Sequence, residues 1–403
     1  MTTATVPDWP ARAQQLVDKL VTDDDLHDPE WATAVAGVPR HEFVPSYYRQ
    51  DTSTRPATWQ RVALSDPHER ETWLEQVYSD TTLVTAVADY TGRGVQIPVS
   101  SSTKPDLMVR MLEELDVVEG HRVLEIGTGT GYNAALLSHR LGAQNVYSVD
   151  VDADLVTTAR YRLAAVGYRP TLAAVDGTAG LAEHAPYDRI IATCSVDAIP
   201  STWIEQLRPG GIILADVEGP LGAGNLVTLH KPSTELLVEG RFLPWWGRFM
   251  RLRPTAGPST GATRPRRTAD EPVSGKTDVD PAELDTAFRF LAQLFLPYGT
   301  SQSLIPSPDL SRPIATSLVA HDGSWCQVDR EPGADDRRAL TYAGTQRLWD
   351  RVEVAWSQWT EHGQPAWSAF GLTATPHQHT VWLGDPARTS WSLPTPPDTC
   401  RGW

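Results

Sequence analysis

The chain has 403 residues, 40% of them hydrophobic, and a formal net charge of −15, a length sufficient for two or three domains with a substantial core. The acidic balance disfavours nucleic acid as a partner, since binding to phosphates needs a basic face. No segment has the roughly 18 apolar residues of a membrane-spanning helix, so the sequence predicts no membrane partner. Three widely spaced cysteines, and an N-terminus without the apolar core of a signal peptide, predict a cytoplasmic protein.

The first hundred residues combine helical and extended patterns. Residues 8–48 predict two short helices, the second capped by Asp28 with Pro29 at its first helical position. Residues 47–75 are polar and contain prolines, which predicts a loop or an insertion. Two extended segments follow between residues 77 and 102. We assign this region to the same domain as the segment that follows it.

Between residues 100 and 253, apolar strand candidates alternate with helical stretches. Strands that are apolar throughout are typical of a parallel sheet covered by helices on both faces. The pattern therefore predicts an α/β fold here, with residues 1–253 as one domain. The strand candidates are RVLEIG, NVYSVDV, PTLAAVD, YDRIIATC, GGIILAD and NLVTLHK.

The composition changes after residue 253. Residues 254–279 are rich in proline, glycine, serine and threonine, which predicts a linker or a mobile loop. Residues 280–403 mix capped helical patterns with short strands and predict a smaller α+β C-terminal domain. Eight of the fifteen tryptophans lie in this region. Two interpretations of their density stay open, a compact core or a face that binds a peptide.

A glycine-rich turn follows the first core strand, in the stretch VLEIGTGTGYNAALL at residues 123–137. Gly127, Gly129 and Gly131 allow the backbone to approach a ligand closely, because glycine lacks a Cβ and tolerates positive φ. Their spacing is G-x-G-x-G, whereas the dinucleotide-binding fingerprint is G-x-G-x-x-G. The turn therefore suits the amino-acid end of S-adenosylmethionine better than the pyrophosphate of a dinucleotide.

Two acidic residues follow at the ends of the next strands. Asp150 stands where acidic residues accept hydrogen bonds from ribose hydroxyls in nucleotide-binding α/β folds. Asp176, followed by Gly177, ends the third strand at the same edge of the sheet. Open α/β sheets bind ligands at that edge, so this order of residues favours a cofactor site. A purely structural α/β domain is the alternative interpretation.

Several segments together resemble the protein-L-isoaspartate O-methyltransferases over residues 12–252. The resemblance implies a seven-stranded, Rossmann-like class I methyltransferase domain that uses S-adenosyl-L-methionine and releases S-adenosyl-L-homocysteine. It also implies a peptide or protein substrate bearing Asp or isoAsp, methylated on a carboxylate. The segments are VPRHEFVP, VYSD, SSTKP, MLEEL, RVLEIGTGTGYNAALL, VDGTAGLAEHAPYDRI and EQLRPGG.

The resemblance also implies roles for individual residues. The family's S-x-P loop over the active site corresponds to residues 103–105. The implied catalytic residues are Ser102, Thr103 and Lys104. The implied substrate-binding residues are Ser101, Pro105, Arg248 and Arg251. The implied cofactor-binding residues are Glu125, Gly127, Thr128, Gly129, Gly131, Tyr132, Asn133, Asp150, Val151, Asp176 and Gly177.

Three departures from the family pattern point to one branch of it. Thr103 stands where serine is usual, Arg251 stands where proline is usual, and residues 280–403 form a unit that the repair enzymes are expected to lack. These features resemble actinobacterial enzymes that methylate aspartate in ribosomally made modified peptides such as lanthipeptides and graspetides, where the ester collapses to aspartimide or isoaspartate. We therefore expect residues 280–403 to engage the substrate. Repair-type methylation of damaged proteins and a non-catalytic peptide-binding protein are the alternatives.

Three further residues are given structural interpretations. His377 and His379 share one face of a predicted strand, as metal ligands do, but the sequence offers no third ligand nearby, and we predict no metal site. Cys194 ends a strand near the expected active-site edge and is interpreted as a buried thiol.

Overall fold

The structure is a computed structural model, and its described residues include most of the chain. Within them, no helix is both long enough and apolar enough to cross a membrane. Residues 254–265 of the predicted linker lie outside the described residues. The described residues are Val6 and the ranges 8–54, 57–90, 95–253, 266–309 and 311–395.

Three helices open the chain, namely α1 (Trp9–Thr22), α2 (Pro29–Gly37) and α3 (Arg40–Phe43). Helix α1 buries Leu16, Val17 and Leu20, which recur at helical spacing along one face. The Asp28 side chain accepts a hydrogen bond from the backbone N–H of Glu30 and caps α2, as the sequence predicts. The buried faces of these helices join one of the two large apolar clusters of the molecule.

Residues 47–75 are not the irregular loop that their composition predicts. They contain most of strand β1 (Ser46–Asp51), strand β2 (Thr58–Ala63) and most of helix α4 (Arg70–Val77). With β3 (Leu83–Tyr90) and β4 (Val95–Ser102), the two strands form an antiparallel sheet of order β2-β1-β3-β4. The prediction was wrong because most side chains of β1 and β2 are exposed or half-buried, so the strands lack the apolar alternation that identifies them.

The segment from residue 105 to residue 242 builds the central sheet in the order that the sequence predicts. Seven strands alternate with helices over most of its length. The elements are α5 (Pro105–Glu114), β5 (Val123–Ile126), α6 (Tyr132–Leu141), β6 (Val146–Asp150), α7 (Ala153–Ala165), β7 (Thr171–Ala174), β8 (Tyr187–Val196), α8 (Ser201–Gln206), β9 (Leu207–Val217), β10 (Asn225–His230) and β11 (Val238–Phe242).

Strand order within this sheet places a crevice at β5. Strand β5 pairs in parallel with β6 on one side and with β8 on the other; the chain runs from β5 outward to β6, and from β8 outward to β9. Parallel pairing continues to β7 on one side and to β9 on the other, whereas β10 and β11 are antiparallel. The strand order therefore reverses between β5 and β8, and the crevice at the carboxyl ends of these two strands is where open α/β sheets bind ligands.

The C-terminal region supplies the remaining elements. They are β12 (Val273–Thr277), α9 (Phe288–Phe295), β13 (Ser301–Pro306), β14 (Pro313–Val319), β15 (Trp325–Asp329), β16 (Arg338–Ala343), α10 (Leu348–Glu361), β17 (Phe370–Ala374), β18 (His379–Leu383) and β19 (Thr389–Ser392). Strands β12–β16 form an antiparallel sheet of order β12-β16-β15-β14-β13. Strand β12 lies within residues 254–279, so the predicted linker ends earlier than its composition indicates.

The central sheet continues into the C-terminal region, which corrects the predicted domain division. Strand β17 pairs with β11, and β18 and β19 follow it, so that the sheet has ten strands in the order β19-β18-β17-β11-β10-β9-β8-β5-β6-β7. One apolar cluster contains Ile190 and Trp203 of the central segment together with Phe288, Trp349 and Phe370 of the C-terminal region. Residues 280–403 therefore do not form an independent core.

This shared core predicts that the two regions unfold together. The Phe370 ring is 1% exposed and packs against Phe290 at a centroid distance of 5.1 Å. We expect Phe370→Ala to lower the free energy of unfolding by about 3–5 kcal/mol and to keep one cooperative transition. Denaturant unfolding followed by tryptophan fluorescence and circular dichroism measures both quantities.

The matched control is Val354→Ala on the solvent side of α10, where the side chain is 50% exposed. We expect it to change the free energy of unfolding by less than about 0.5 kcal/mol. Two separate transitions, with only one of them shifted by Phe370→Ala, would show that the C-terminal region folds on its own.

Candidate active site

A cavity of about 340 Å³ lies at the carboxyl ends of β5 and β6. Its floor is the glycine turn after β5, one wall is the end of β4 with residues 101–103, and the opposite wall is residues 247–253. The predicted site residues that line it are Ser101, Ser102, Thr103, Glu125, Gly127, Thr128, Gly129, Tyr132, Asn133, Asp150, Val151, Gly177, Arg248 and Arg251.

Two residues of the predicted substrate loop do not line the cavity. The Lys104 ammonium pairs with Asp80 at 3.0 Å and with Asp106. Pro105 is buried at the first position of α5, where it starts the helix. Lys104 is therefore held by two carboxylates, and Pro105 has a structural role at the start of α5.

Two predicted cofactor residues also lie outside the cavity lining. Gly131 is the N-cap of α6 with φ of 87°, and a Cβ there would lie 3.1 Å from the Cβ of Ala159. Its lack of a side chain serves helix packing. The Asp176 side chain accepts a hydrogen bond from the Thr178 backbone N–H, so it stabilises its own turn. Of the pair at the end of β7, only Gly177 reaches the cavity.

Gly127 has no room for a side chain. Its φ is 101°, and a Cβ would lie 2.7 Å from the Thr193 hydroxyl oxygen. That hydroxyl donates to the backbone oxygens of Ile126 (3.1 Å) and Gly127 (2.8 Å), which fixes the turn against β8. The turn is therefore held close to β8, and the backbone of its glycines lines the cavity without side chains.

Glu125 anchors a polar network beneath the turn. Its carboxylate is fully buried and accepts hydrogen bonds from the Asn133 amide nitrogen (2.7 Å) and the Ser148 hydroxyl (2.5 Å). The Thr128 hydroxyl lies 2.7 Å from that of Ser148. Desolvation raises the pKa of Glu125 to about 7, against the hydrogen bonds, which lower it. The side-chain oxygen of Asn133 is buried without a partner among the described residues, so it is available to a ligand.

Asp150 ends β6 with its carboxylate tied to the glycine turn. One carboxylate oxygen accepts from the Gly129 backbone N–H at 2.9 Å, and the other accepts from the Asp152 N–H at 3.1 Å. Each oxygen has a second lone pair, so the carboxylate can still accept hydroxyl donors from the cavity. This geometry agrees with the ribose-binding role that the sequence predicts for Asp150.

Arg40 is a functional residue that the sequence analysis did not identify. It is fully buried, and its guanidinium donates to the backbone oxygens of Val77 (3.0 Å) and Thr103 (3.2 Å), and to the Ser102 hydroxyl (3.4 Å). Desolvation lowers the pKa of Arg40. The guanidinium therefore fixes the loop that forms one cavity wall. The only sequence signal is its place in the motif VPRHEFVP, since no local pattern reveals a contact 63 residues away.

The opposite wall rests on Asp216, which the sequence analysis also missed. Asp216 ends β9, is fully buried, and accepts a hydrogen bond from the Phe249 backbone N–H at 3.1 Å. Desolvation raises its pKa to about 7. A Cβ at Gly247 would lie 2.6 Å from the Asp216 carboxyl carbon, so the wall passes directly over the carboxyl group.

The remaining candidates have the structural roles expected of them. Cys194 is buried at the cavity, and desolvation raises the pKa of its thiol, which makes it a poor nucleophile. His379 is buried, and its Nε2 accepts from the Ile199 backbone N–H at 3.0 Å.

The parallel sheet, the glycine turn and the acidic end of β6 define a class I methyltransferase dependent on S-adenosylmethionine. The family profile for protein-L-isoaspartate(D-aspartate) O-methyltransferase (PCMT) matches residues 66–239. A protein-L-isoaspartate O-methyltransferase of Methanosarcina mazei is 35% identical over 211 residues, which cover 51% of this chain and 70% of that relative. One from a Picosynechococcus species is 33% identical over 242 residues, which cover 59% of this chain and 91% of that relative. The chain belongs to the protein-L-isoaspartate O-methyltransferase family.

The fold has a solved counterpart over most of its length. A structure of a protein-L-isoaspartate O-methyltransferase superposes with a TM-score of 0.53 at 22% identity, covering 93% of this chain and 100% of the other. This structure therefore resembles most of the chain at the level of the fold. Membership of the family confirms the predicted enzyme class and the predicted cofactor, S-adenosyl-L-methionine.

The crowding at Gly127 predicts loss of cofactor binding when a methyl group is added. We expect Gly127→Ala to weaken binding of S-adenosyl-L-homocysteine at least about tenfold, because the turn must move off Thr193. Isothermal titration calorimetry measures the affinity. Gly120→Ala is the matched control. Gly120 also has a positive φ, 83°, so alanine there strains the backbone in the same way, but its Cβ would meet no neighbouring atom. Equal affinities of the two variants would contradict the prediction.

The raised pKa of Glu125 predicts a pH-dependent stability. The folded-state pKa of about 7 lies above the ordinary 4.5, so the contribution is fully present below pH 4.5 and is lost as the pH rises through about 7. At about 1.4 kcal/mol per pKa unit the loss is roughly 3 kcal/mol. We expect Glu125→Gln to reduce the fall in unfolding free energy between acidic and neutral pH, measured by denaturant titration.

The control for this experiment is Glu361→Gln, at the exposed end of α10. We expect it to leave the pH profile of stability unchanged, because solvent surrounds the group in both the folded and the unfolded chain. An unchanged profile in Glu125→Gln as well would show that the buried carboxyl is not responsible.

Proposed function

We propose that this protein is a carboxyl O-methyltransferase that methylates an aspartate side chain of a ribosomally made modified peptide, leading to aspartimide or isoaspartate. The observation that carries the proposal is one cavity that brings the glycine turn and Asp150 together with the hydroxyl-bearing segment 101–103. The first group suits a cofactor, and the second faces it where an acceptor would lie.

The residues present fit S-adenosyl-L-methionine. The bare backbone at Gly127 and Gly129 and the unpartnered oxygen of Asn133 would hold its amino-acid end, and the Asp150 carboxylate would accept its ribose hydroxyls. Gly177 lines the cavity where only glycine packs, since a Cβ there would lie 2.6 Å from the Ile126 side chain. When bound, the cofactor supplies an activated methyl group.

The chain's own contribution is to hold and orient the acceptor. An aspartate carboxylate has an ordinary pKa near 4, so it is ionised at neutral pH and needs no general base. The hydroxyls of Ser102 and Thr103 line the cavity and are donors that can fix one carboxylate oxygen while the other is directed at the methyl group. Arg40 prevents this wall from moving, and residues 247–253 restrict water on the other side.

Two features support a tailoring substrate over a damaged protein. Thr103 lines the cavity, where its extra methyl group narrows the acceptor site relative to serine. Arg251 lines the cavity where the family pattern has proline, and it adds charge beside Arg248. Repair of isoaspartyl proteins is the second candidate, favoured by the names of the relatives from Methanosarcina mazei and Picosynechococcus.

We also propose that the C-terminal region shapes the substrate side of the cavity. The Tyr298 hydroxyl donates to Asp197 at 2.8 Å, and Asp197 in turn pairs with Arg251 of the cavity wall. Trp367 packs edge-on against Trp246, with ring centroids 4.5 Å apart. Two side chains of the C-terminal region therefore support residues next to the cavity, which is how remote contacts can orient a reacting group.

The substrate proposal is tested by offering both classes of peptide. We expect the wild type to methylate an aspartyl precursor peptide, seen by mass spectrometry as methyl addition followed by loss of methanol. We expect Thr103→Ser to raise kcat/KM for isoaspartyl peptides relative to aspartyl peptides, because it removes the methyl group beside the acceptor.

Two outcomes decide between the candidates. Efficient turnover of generic isoaspartyl peptides, with none of aspartyl precursors, would establish repair as the function. Asp150→Ala is the control for dependence on the cofactor site, and we expect it to abolish release of S-adenosyl-L-homocysteine with either class of peptide. Turnover that survives Asp150→Ala would contradict the assignment of the cofactor site.

A further inference from the structure

The three arginines of the wall formed by residues 247–253 differ in how they are neutralised. The Arg251 guanidinium pairs with Asp197 and lies 3.5 Å from the Glu218 carboxylate. The Arg253 guanidinium donates to the Val99 backbone oxygen at 3.1 Å. Arg248 lines the same cavity and is exposed, yet within the described residues it forms no ion pair with a carboxylate.

Arg248 is nevertheless held in place. Its guanidinium lies over the Trp246 ring, 4.5 Å from the centroid, and Trp246 packs edge-on against Trp367. A guanidinium stacked on an aromatic face loses side-chain freedom but keeps its hydrogen-bond donors in the ring plane available. The stacking therefore holds a planar cation in place on a residue that lines the cavity.

The backbone at Arg248 has an unusual conformation. Arg248 has φ of 51°, a conformation that non-glycine residues rarely adopt and that surrounding contacts must maintain. The buried Asp216 carboxylate fixes the neighbouring residue, because it accepts a hydrogen bond from the Phe249 backbone N–H at 3.1 Å. Backbone strain at a residue that lines a cavity is typical of functional sites, and here the strained residue is Arg248 itself.

The chemistry of this arginine selects its ligand. A planar guanidinium with free donors binds a carboxylate in a bidentate manner. Binding a cation or a second neutral group would leave its charge unmatched. In a protein of net charge −15, a locally uncompensated cation also attracts the acidic groups that the rest of the surface repels.

We propose that Arg248 determines substrate specificity by binding a second carboxylate, the acidic side chain of a residue next to the methylated one in the peptide. The inference rests on the proposed function, since it requires that the cavity accept a peptide. It narrows the substrate class to peptides in which the acceptor residue has an acidic neighbour. The carboxylate that receives the methyl group is a different one, held by the segment 101–103 on the other wall.

Paired peptides test this proposal. Each pair has the same acceptor residue and carries Glu or Gln at one flanking position, with positions scanned on both sides of the acceptor. Two quantities are measured for each peptide, namely kcat/KM from release of S-adenosyl-L-homocysteine, and affinity by calorimetry in the presence of S-adenosyl-L-homocysteine. We expect the wild type to prefer the Glu peptide about tenfold in one flanking position, and Arg248→Gln to reduce that ratio to about one.

Arg241→Gln is the matched control. Arg241 is an exposed arginine stacked on an aromatic ring, 4.9 Å from the centroid of Trp382, and it does not line the cavity. We expect it to retain the full preference for the Glu peptide. Arg248→Lys keeps the charge but loses the planar fork, and we expect an intermediate ratio.

The outcomes separate this proposal from the proposed function. Turnover of both peptides with equal kcat/KM would overturn the role of Arg248 and leave methylation standing. A loss in Arg248→Gln that is equal for Glu and Gln peptides would show that Arg248 holds the methylated carboxylate itself, which also overturns the proposal. If no peptide is turned over, the proposed function fails, and the ratio of affinities still decides whether Arg248 binds an acidic neighbour.

Discussion

Parallel pairing of β5 with both β6 and β8 is the constraint on which the site depends. Because the chain runs outward from β5 to β6 on one side and outward from β8 to β9 on the other, the connections after β5 and β8 diverge and open a crevice at the carboxyl ends of these strands. Gly127 and Asp150 are placed there by the backbone alone. The two walls of the cavity are additions to this crevice, one from the antiparallel sheet that precedes it and one from the chain that follows β11.

Both walls are held by buried charged groups, whose burial is costly unless they are hydrogen-bonded. The Arg40 guanidinium donates to the backbone oxygens of Val77 and Thr103, and the Asp216 carboxylate accepts the Phe249 backbone N–H of the wall formed by residues 247–253. The hydrogen bonds of each side chain offset part of the free-energy cost of its desolvation, and the same bonds hold the walls of the cavity in place. A carboxyl pKa raised to about 7 at Asp216 and at Glu125 is the measurable sign of that desolvation.

Continuity of the central sheet gives the C-terminal region its relation to the site. Strand β17 covers the edge of β11, which would otherwise expose unpaired backbone groups. The same region contributes Trp367 and Tyr298 to the support of the second wall. Binding energy from a peptide lying across this surface can thus reach the cavity through packed side chains and one ion pair.

The sequence by itself determined the α/β core, the glycine turn and Asp150, because apolar strands, a bare turn and an acidic strand end are local patterns. It did not determine β1, β2 or β11, whose side chains carry no clear apolar alternation, nor the joining of β17 to β11, which is a pairing across more than a hundred residues. Only the tertiary structure decided that Lys104 is held by carboxylates, whereas Arg40 and Asp216 support the cavity. The reason is physical, since burial and charge pairing depend on which distant residues meet.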